Sequence, residues 1–289
     1  MSAKPSITIV GPGTLGSVMA RALHAAGYRV DEIVFHSAGS RQRARSLARA
    51  AKARVVAPDK ARLTADVVWL CVPDGAIACC AAALSGREWK NQTVLHASGA
   101  VASDALAPLR DRGAAVASLH PMMTFVRGAR PLLAGVTFAV EGDPAAVRVA
   151  SRMARDLGGR VVRIRAAAKP LYHAFGAFTS PLLIALLAAA EQVARAAGID
   201  HNDARAASRP ILEQTVRNYL ARGPAAAFSG PLVRGDVDTV RRHLRALRRV
   251  PQARQVYIAL VGAALRTLPV KKKKDLAALL QSEIENLKS

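Results

Sequence analysis

The ten residues Ile7-Thr8-Ile9-Val10-Gly11-Pro12-Gly13-Thr14-Leu15-Gly16 constrain this chain more than any other stretch. A β-branched run enters a G-x-G-x-x-G turn, and a helical pattern follows at once. Gly11 allows the tight turn, Gly13 lets a phosphate approach the backbone, and Gly16 lets the new helix lie close on the strand. The amides of Gly13, Thr14 and Leu15 stand at the positive end of that helix, which suits a diphosphate. Pro12 offers no N–H but fixes φ in the turn. The loop therefore predicts a dinucleotide site made by Gly11, Gly13, Thr14, Leu15 and Gly16.

Helix and strand signals alternate onward from this loop. Strands are expected at residues 30–35, 55–56, 66–72, 93–96, 115–119, 136–140 and 160–164, with helices at 14–26, 41–51 and 144–157. Beyond about residue 165 the strand signals stop. One long Ala/Leu helix is expected from Pro170 to Ala197, bent at Pro181. Further helices are expected at 203–222, 236–249, 252–266 and 275–287. The fold class is α/β: a Rossmann-type doubly wound parallel sheet over 1–165, followed by an all-α domain over 166–289 that carries substrate contacts and a dimer contact.

The end of the second strand selects the coenzyme. An NAD site places a carboxylate about 20 residues past the glycines, on the ribose 2′-hydroxyl. Here the stretch reads His36-Ser37-Ala38-Gly39-Ser40-Arg41-Gln42-Arg43, and Asp31 and Glu32 come too early. Ser37 and Ser40 as donors with Arg41 as the paired charge, assisted by Arg43, suit a 2′-phosphate, so the expected cofactor is NADP(H). The alternative is an ordinary capped, basic helix start. Val72 and Pro73, at the end of the apolar strand 66–72, are expected beside the cofactor at the carboxyl edge of the sheet.

Composition bounds the remaining classes. The 289 residues are 51% hydrophobic, enough for about two domains. Three cysteines, Cys71, Cys79 and Cys80, give no disulfide framework, and no Cys or His spacing predicts a metal site. A net charge of +22 invites a nucleic-acid reading. The arginines are scattered, however, and 4% aromatics supply few stacking platforms, so no specific nucleic acid is expected. The run Lys271–Lys274 reads as a solvated helix start. Ala174 to Ala190 is uncharged but shorter than the roughly 20 residues of a membrane span, so it reads as a buried helix in a cytoplasmic protein.

A nicotinamide enzyme also needs a proton donor and substrate contacts. His120 and Ser98, at two neighbouring strand ends, are the first catalytic candidates, and each is also readable as a turn residue. Lys169, Tyr172 and His173 open the long helix; His173 is a second acid/base candidate and Lys169 a substrate contact. In Ser229–Asp236, Arg234 is placed to clamp a substrate carboxylate, while Asp236 reads as a helix cap.

Gly11-Pro12-Gly13-Thr14-Leu15-Gly16, Val72-Pro73-Asp74, His96-Ala97-Ser98-Gly99-Ala100, His120-Pro121-Met122, Leu171-Tyr172-His173-Ala174 and Ser229-Gly230-Pro231-Leu232-Val233-Arg234-Gly235-Asp236 occur in this order. Over nearly its whole length the chain resembles the Rossmann-like proteins with a carboxy-terminal domain of unknown function, DUF2520. That family is similar to the pyrroline-5-carboxylate reductases, 6-phosphogluconate-type dehydrogenases and ketopantoate reductases. The resemblance implies an NADP-linked oxidoreductase acting on a small substrate, with a helical dimerisation domain and a small 2-keto acid as substrate. Ser180-Pro181 stands where many members carry an Asn. Leu119-His120-Pro121-Met122 with Ser98 resembles elements of prephenate dehydrogenases. Imine reduction and a non-catalytic NADP-binding sensor remain alternatives.

Overall fold

Residues 7–10 form a strand whose first three side chains are buried, Ile7 and Ile9 on one face and the β-branched Thr8 on the other. The computed structural model describes residues 3–129 and 131–285. In chain order the elements are β1 (Ile7–Val10), α1 (Thr14–Ala25), β2 (Val30–Val34), α2 (Ala38–Ala51), β3 (Arg54–Val56), β4 (Val67–Leu70), α3 (Ile77–Leu84) and β5 (Thr93–His96). Then follow α4 (Ala107–Arg110), β6 (Ala115–Pro121), β7 (Thr137–Gly142), α5 (Pro144–Asp156), β8 (Arg160–Arg163) and α6 (Lys169–Thr179). The remainder is helical: α7 (Pro181–Ala196), α8 (His201–Ala227), α9 (Pro231–Arg234), α10 (Val237–Ala246), α11 (Pro251–Thr267) and α12 (Lys273–Glu285).

The eight strands form one sheet in the order β3-β2-β1-β4-β5-β6-β7-β8. Neighbours are parallel except β6 and β7, which are antiparallel. Met19, Leu23, Leu47 and Met153 of α1, α2 and α5 pack with Ile7, Ile9 and Leu95 in one buried cluster. Ile77, Ala81 and Leu109 of α3 and α4 pack with Val68, Val94 and Val116 in another. Because side chains alternate along a strand, these are the two faces of a doubly wound α/β layer.

The chain divides into two compact units at Phe178/Thr179, past the expected boundary at 165. The cause is Lys169: its side chain is buried and fastens the start of α6 to the strands of the first unit. In the second unit α10, α11 and α12 make a core of Val240, Leu244, Ile258, Val261, Leu265, Leu276 and Leu280. The ion pair of Arg254 with Glu283 is buried beside it. Lys271–Lys274 is exposed at the start of α12, as the charge run predicts.

Three expectations about the long helix change. It is two helices, because Ser180 leaves the helical region (φ −133°, ψ −86°) and Pro181 becomes the first residue of α7, where its missing N–H costs nothing. It is not buried: Leu182, Leu183, Ile184 and Leu186 are exposed, since the core of the second unit closes without them. Finally, the run Ala166–Ala196 is long and apolar enough, by length and composition, to cross a membrane, so it does not fall short of a span as expected.

Candidate active site

The glycine loop has the shape its sequence implies. Gly11 has φ +99°, and a Cβ there would meet the Cys71 carbonyl. A Cβ on Gly16 would strike the Gly11 carbonyl, so both positions are closed by packing. Gly13 differs: nothing lies within 4 Å of where its Cβ would be. Gly13 caps α1 without a side-chain bond, and no acidic residue sits in the first turn. An open glycine at an uncompensated positive helix end fits an approaching diphosphate.

The edge of β2 is only partly as expected. Ser40 is a corrected assignment: it is buried, its Oγ donates to the Ser37 carbonyl at 2.8 Å and accepts from the Ser37 N–H at 3.0 Å. The hydroxyl closes a capping box and faces the start of α2. Ser37 and Arg41 are exposed, and the Arg41 guanidinium lies 5.9 Å from the centre of the Phe35 ring. Glu32 is turned inward, accepting from the Arg62 and Leu63 N–H groups at 3.1 Å each. Glu32 is thereby engaged with backbone amides. Val72 is half-buried against Gly11 and Pro73 is exposed at the turn that follows.

His120 lies inside β6, which extends through Pro121, rather than after the strand. Its Nδ1 is 2.8 Å from the Tyr172 hydroxyl of α6, ring edge to ring face. His173 stands next to it, with ring centres 6.2 Å apart. Both histidines close on Gly99: a Cβ there would lie 2.9 Å from His120 Cε1 and Nε2 and from His173 Cδ2. Burial, with Lys169 and His173 adding to it, lowers the His120 pKa to about 4, although Asp74 opposes the shift. Burial raises the Tyr172 phenol to about 12. At neutral pH both partners are uncharged, so His120 is not the imidazolium donor its sequence position suggests.

Below this pair runs a buried polar row. His96, Ser118 and Glu141 are register partners across β5, β6 and β7. Lys169 Nζ donates to the Ser98 carbonyl at 2.9 Å and to Ser118 Oγ, and lies 3.5 Å from Glu141. Glu141 also accepts from the Ser103 N–H at 2.9 Å and the Ser103 hydroxyl at 2.8 Å. Burial lowers the Lys169 pKa, with Glu141 opposing. Two expected roles are thereby corrected. Lys169 faces inward and is 1% exposed, which removes it from direct substrate contact. Ser98 is 5% exposed, and its Oγ accepts from the Ala100 and Val101 N–H groups at 3.1 and 2.9 Å; it shapes the turn before Gly99 instead of partnering His120.

Sequence reasoning missed Ser118 and Glu141, and it named Tyr172 and Gly99 without giving either a role. A signal existed for Tyr172: with Lys169 and His173 it falls at i, i+3 and i+4 on one helix face. Glu141 follows the buried apolar run Phe138–Val140 in β7, a place where a carboxylate requires a partner. Arg234 belongs to the second unit, exposed at the last position of α9, and Asp236 caps α10 through the Thr239 N–H at 3.0 Å.

Known structures share this fold. A Bacteroides fragilis protein described as a candidate NADP oxidoreductase is 20% identical, with a TM-score of 0.74 over 90% of this chain and 97% of its own. An imine reductase from a Pseudomonas species is 22% identical, with a TM-score of 0.62 over 91% and 94%. A reductive aminase from Aspergillus terreus, in complex with NADPH, is 17% identical, with a TM-score of 0.66 over 91% and 94%. At these identities the likeness is one of fold. A comparison with curated proteins gave no match. A Rossmann-like domain matches residues 1–121, and the domain of unknown function DUF2520 matches residues 136–264. The chain thus joins a match to a Rossmann-like domain with a match to the DUF2520 domain.

Proposed function

We propose that the protein is an NADP(H)-dependent oxidoreductase that interconverts a small carbonyl compound and its alcohol, with a 2-keto acid as the first substrate candidate. The observation that carries this reading is the uncharged His120–Tyr172 pair beside Gly99, in the same unit as a glycine loop open at Gly13. Gly11, Gly13, Thr14, Leu15 and Gly16 would hold the diphosphate. Ser37 and Arg41 would meet the adenosine end, and Val72 and Pro73 would lie along the coenzyme. When bound, the dihydronicotinamide supplies hydride. The chain's own part is the proton. As charge builds on the substrate oxygen, the Tyr172 hydroxyl gives its proton to that oxygen. The phenolate left behind accepts a hydrogen bond from His120 Nδ1–H. An alkoxide is more basic than a phenolate, so the transfer runs downhill even from a phenol near 12.

Imine reduction is the second reading, favoured by the fold shared with an imine reductase and a reductive aminase. Tyr172 would then protonate the amine nitrogen. Calorimetry and a substrate panel test both. NADPH should bind about tenfold or more tightly than NADH, through the charge-assisted contacts at Arg41. Oxidation of NADPH by 2-keto acids supports the first reading, and oxidation by cyclic imines alone supports the second. Tight binding without turnover of any panel member would mark a sensor; no heat with either coenzyme would overturn the coenzyme assignment.

We further propose a homodimer through the helical unit. Leu182, Leu183 and Ile184 of α7 and Ile211, Tyr219 and Leu220 of α8 are exposed, an apolar surface that favours association. Light scattering should give twice the chain mass of 30.5 kDa, and Ile184→Glu should shift it toward the monomer. A wild-type mass of 30.5 kDa at micromolar concentration would refute the dimer.

A further inference from the structure

A cavity of about 440 Å³ adjoins the glycine loop, lined by Gly13, Thr14, Ser17 and Val18 together with Arg21, Arg43 and Arg127. Its volume lies within the range of small-ligand sites. The three arginines come from three separate places: α1, α2 and the turn that follows β6. No carboxylate lines the cavity. Thr14, Ser17, Val18 and Arg21 form one stripe of α1 at i, i+3, i+4 and i+7. Arg21 sits about 10 Å further along the axis than Thr14, and helical side chains lean toward the amino end, so its guanidinium is directed back toward the loop. The turn carrying Arg127 continues through Gly128, whose φ is +86°. Three guanidinium groups around one cavity repel one another, and the positive end of α1 adds to that field. An anion with several oxygens relieves it.

We propose that Arg21, Arg43 and Arg127 form an anion clamp that grips the diphosphate of the dinucleotide from the side away from the glycine amides. This rests on the coenzyme reading above and adds residues that the G-x-G-x-x-G pattern does not contain. The target is the diphosphate rather than the 2′-phosphate, because Gly13 and Thr14 line the cavity while Ser37 and Arg41 do not. The clamp explains how a loop whose Pro12 lacks an N–H gathers further donors. It also gives the turn after β6 a task at the cavity beside α1.

The test is calorimetry on the full chain with NADPH, NADH and inorganic pyrophosphate, comparing wild type with Arg43→Ala/Arg127→Ala and with Arg21→Ala. Lys273→Ala/Lys274→Ala serves as a charge-matched control far along the chain. Each lost charge-assisted contact should weaken binding about tenfold. The double variant should therefore lose about a hundredfold for NADPH and NADH alike, and Arg21→Ala about tenfold, while the lysine control stays at the wild-type value. Pyrophosphate binding should fall in parallel. Unchanged coenzyme affinity in the arginine variants, or a loss confined to NADPH, overturns the clamp. If wild type binds neither coenzyme but binds pyrophosphate, and the double variant does not, the clamp stands and the coenzyme reading falls. If wild type binds none of the three, both fall.

Discussion

Tyr172→Phe is expected to lower kcat by about 10²–10⁴-fold, the usual contribution of a positioned proton donor, with no change in coenzyme Kd. The phenol is the group whose proton the developing alkoxide takes, and phenylalanine keeps its ring contact with His120 while removing only the hydroxyl. The accompanying pH profile is diagnostic. The His120 pKa is lowered to about 4 and the Tyr172 pKa is raised to about 12, so neither group changes charge near neutrality. With a non-ionising carbonyl substrate, kcat should stay flat from about pH 5.5 to 9. An inflection near the ordinary histidine pKa of about 6.5 would show an unshifted His120 and refute this arrangement. His120→Gln tests the partner: kcat should fall about tenfold or more, since the phenolate loses its supporting donor. A Tyr172→Phe enzyme with wild-type kcat would remove the phenol from the chemistry.

Lys169→Met should cost about 3–5 kcal/mol of stability, the penalty for removing one partner of a buried ion pair. The ammonium sits among Ser98, Ser118 and Glu141, and the lysine is only 1% exposed. Methionine fills a similar volume, so the loss comes from Glu141 left buried with Ser103 alone. The double variant Lys169→Met/Glu141→Gln should regain a large part of that loss, because the unpaired charge is gone. Urea unfolding measures both. A single-variant cost below about 1 kcal/mol would mean that Glu141 finds other support or takes up a proton without penalty. The same substitution frees the first turn of α6, one turn before Tyr172. Its kcat should therefore fall more than its coenzyme affinity.

Particular residues show where the sequence could be read and where it could not. The strand segments at 7–10, 67–70 and 93–96 are legible because a parallel strand covered on both faces is dominated by β-branched and apolar residues. Gly11 and Gly16 are legible because only their backbone geometry fits the turn. Ser40 is not: a hydroxyl three residues into a basic helix start can face a ligand or its own cap, and local spacing is the same for both. Ser98 leaves the same two readings open, and its turn reading is the one its hydrogen bonds fit. Lys169 looks like a surface lysine at a helix start until Glu141, far away in the chain, is known to lie beside it. The α7 helix reads as buried because its composition records an apolar surface without recording what covers it.

By itself the sequence determined the dinucleotide loop, the run of eight strands, the change to an all-helical unit and the stretch of chain that carries the catalytic candidates. Those follow from local steric rules and from hydrophobic periodicity, which act over a few residues. Only the tertiary structure decided that Tyr172 meets His120, that Lys169 meets Glu141, and that Arg21, Arg43 and Arg127 share a cavity. Electrostatic and hydrogen-bond partners are chosen by distance in space, and burial then sets which of them carries a charge.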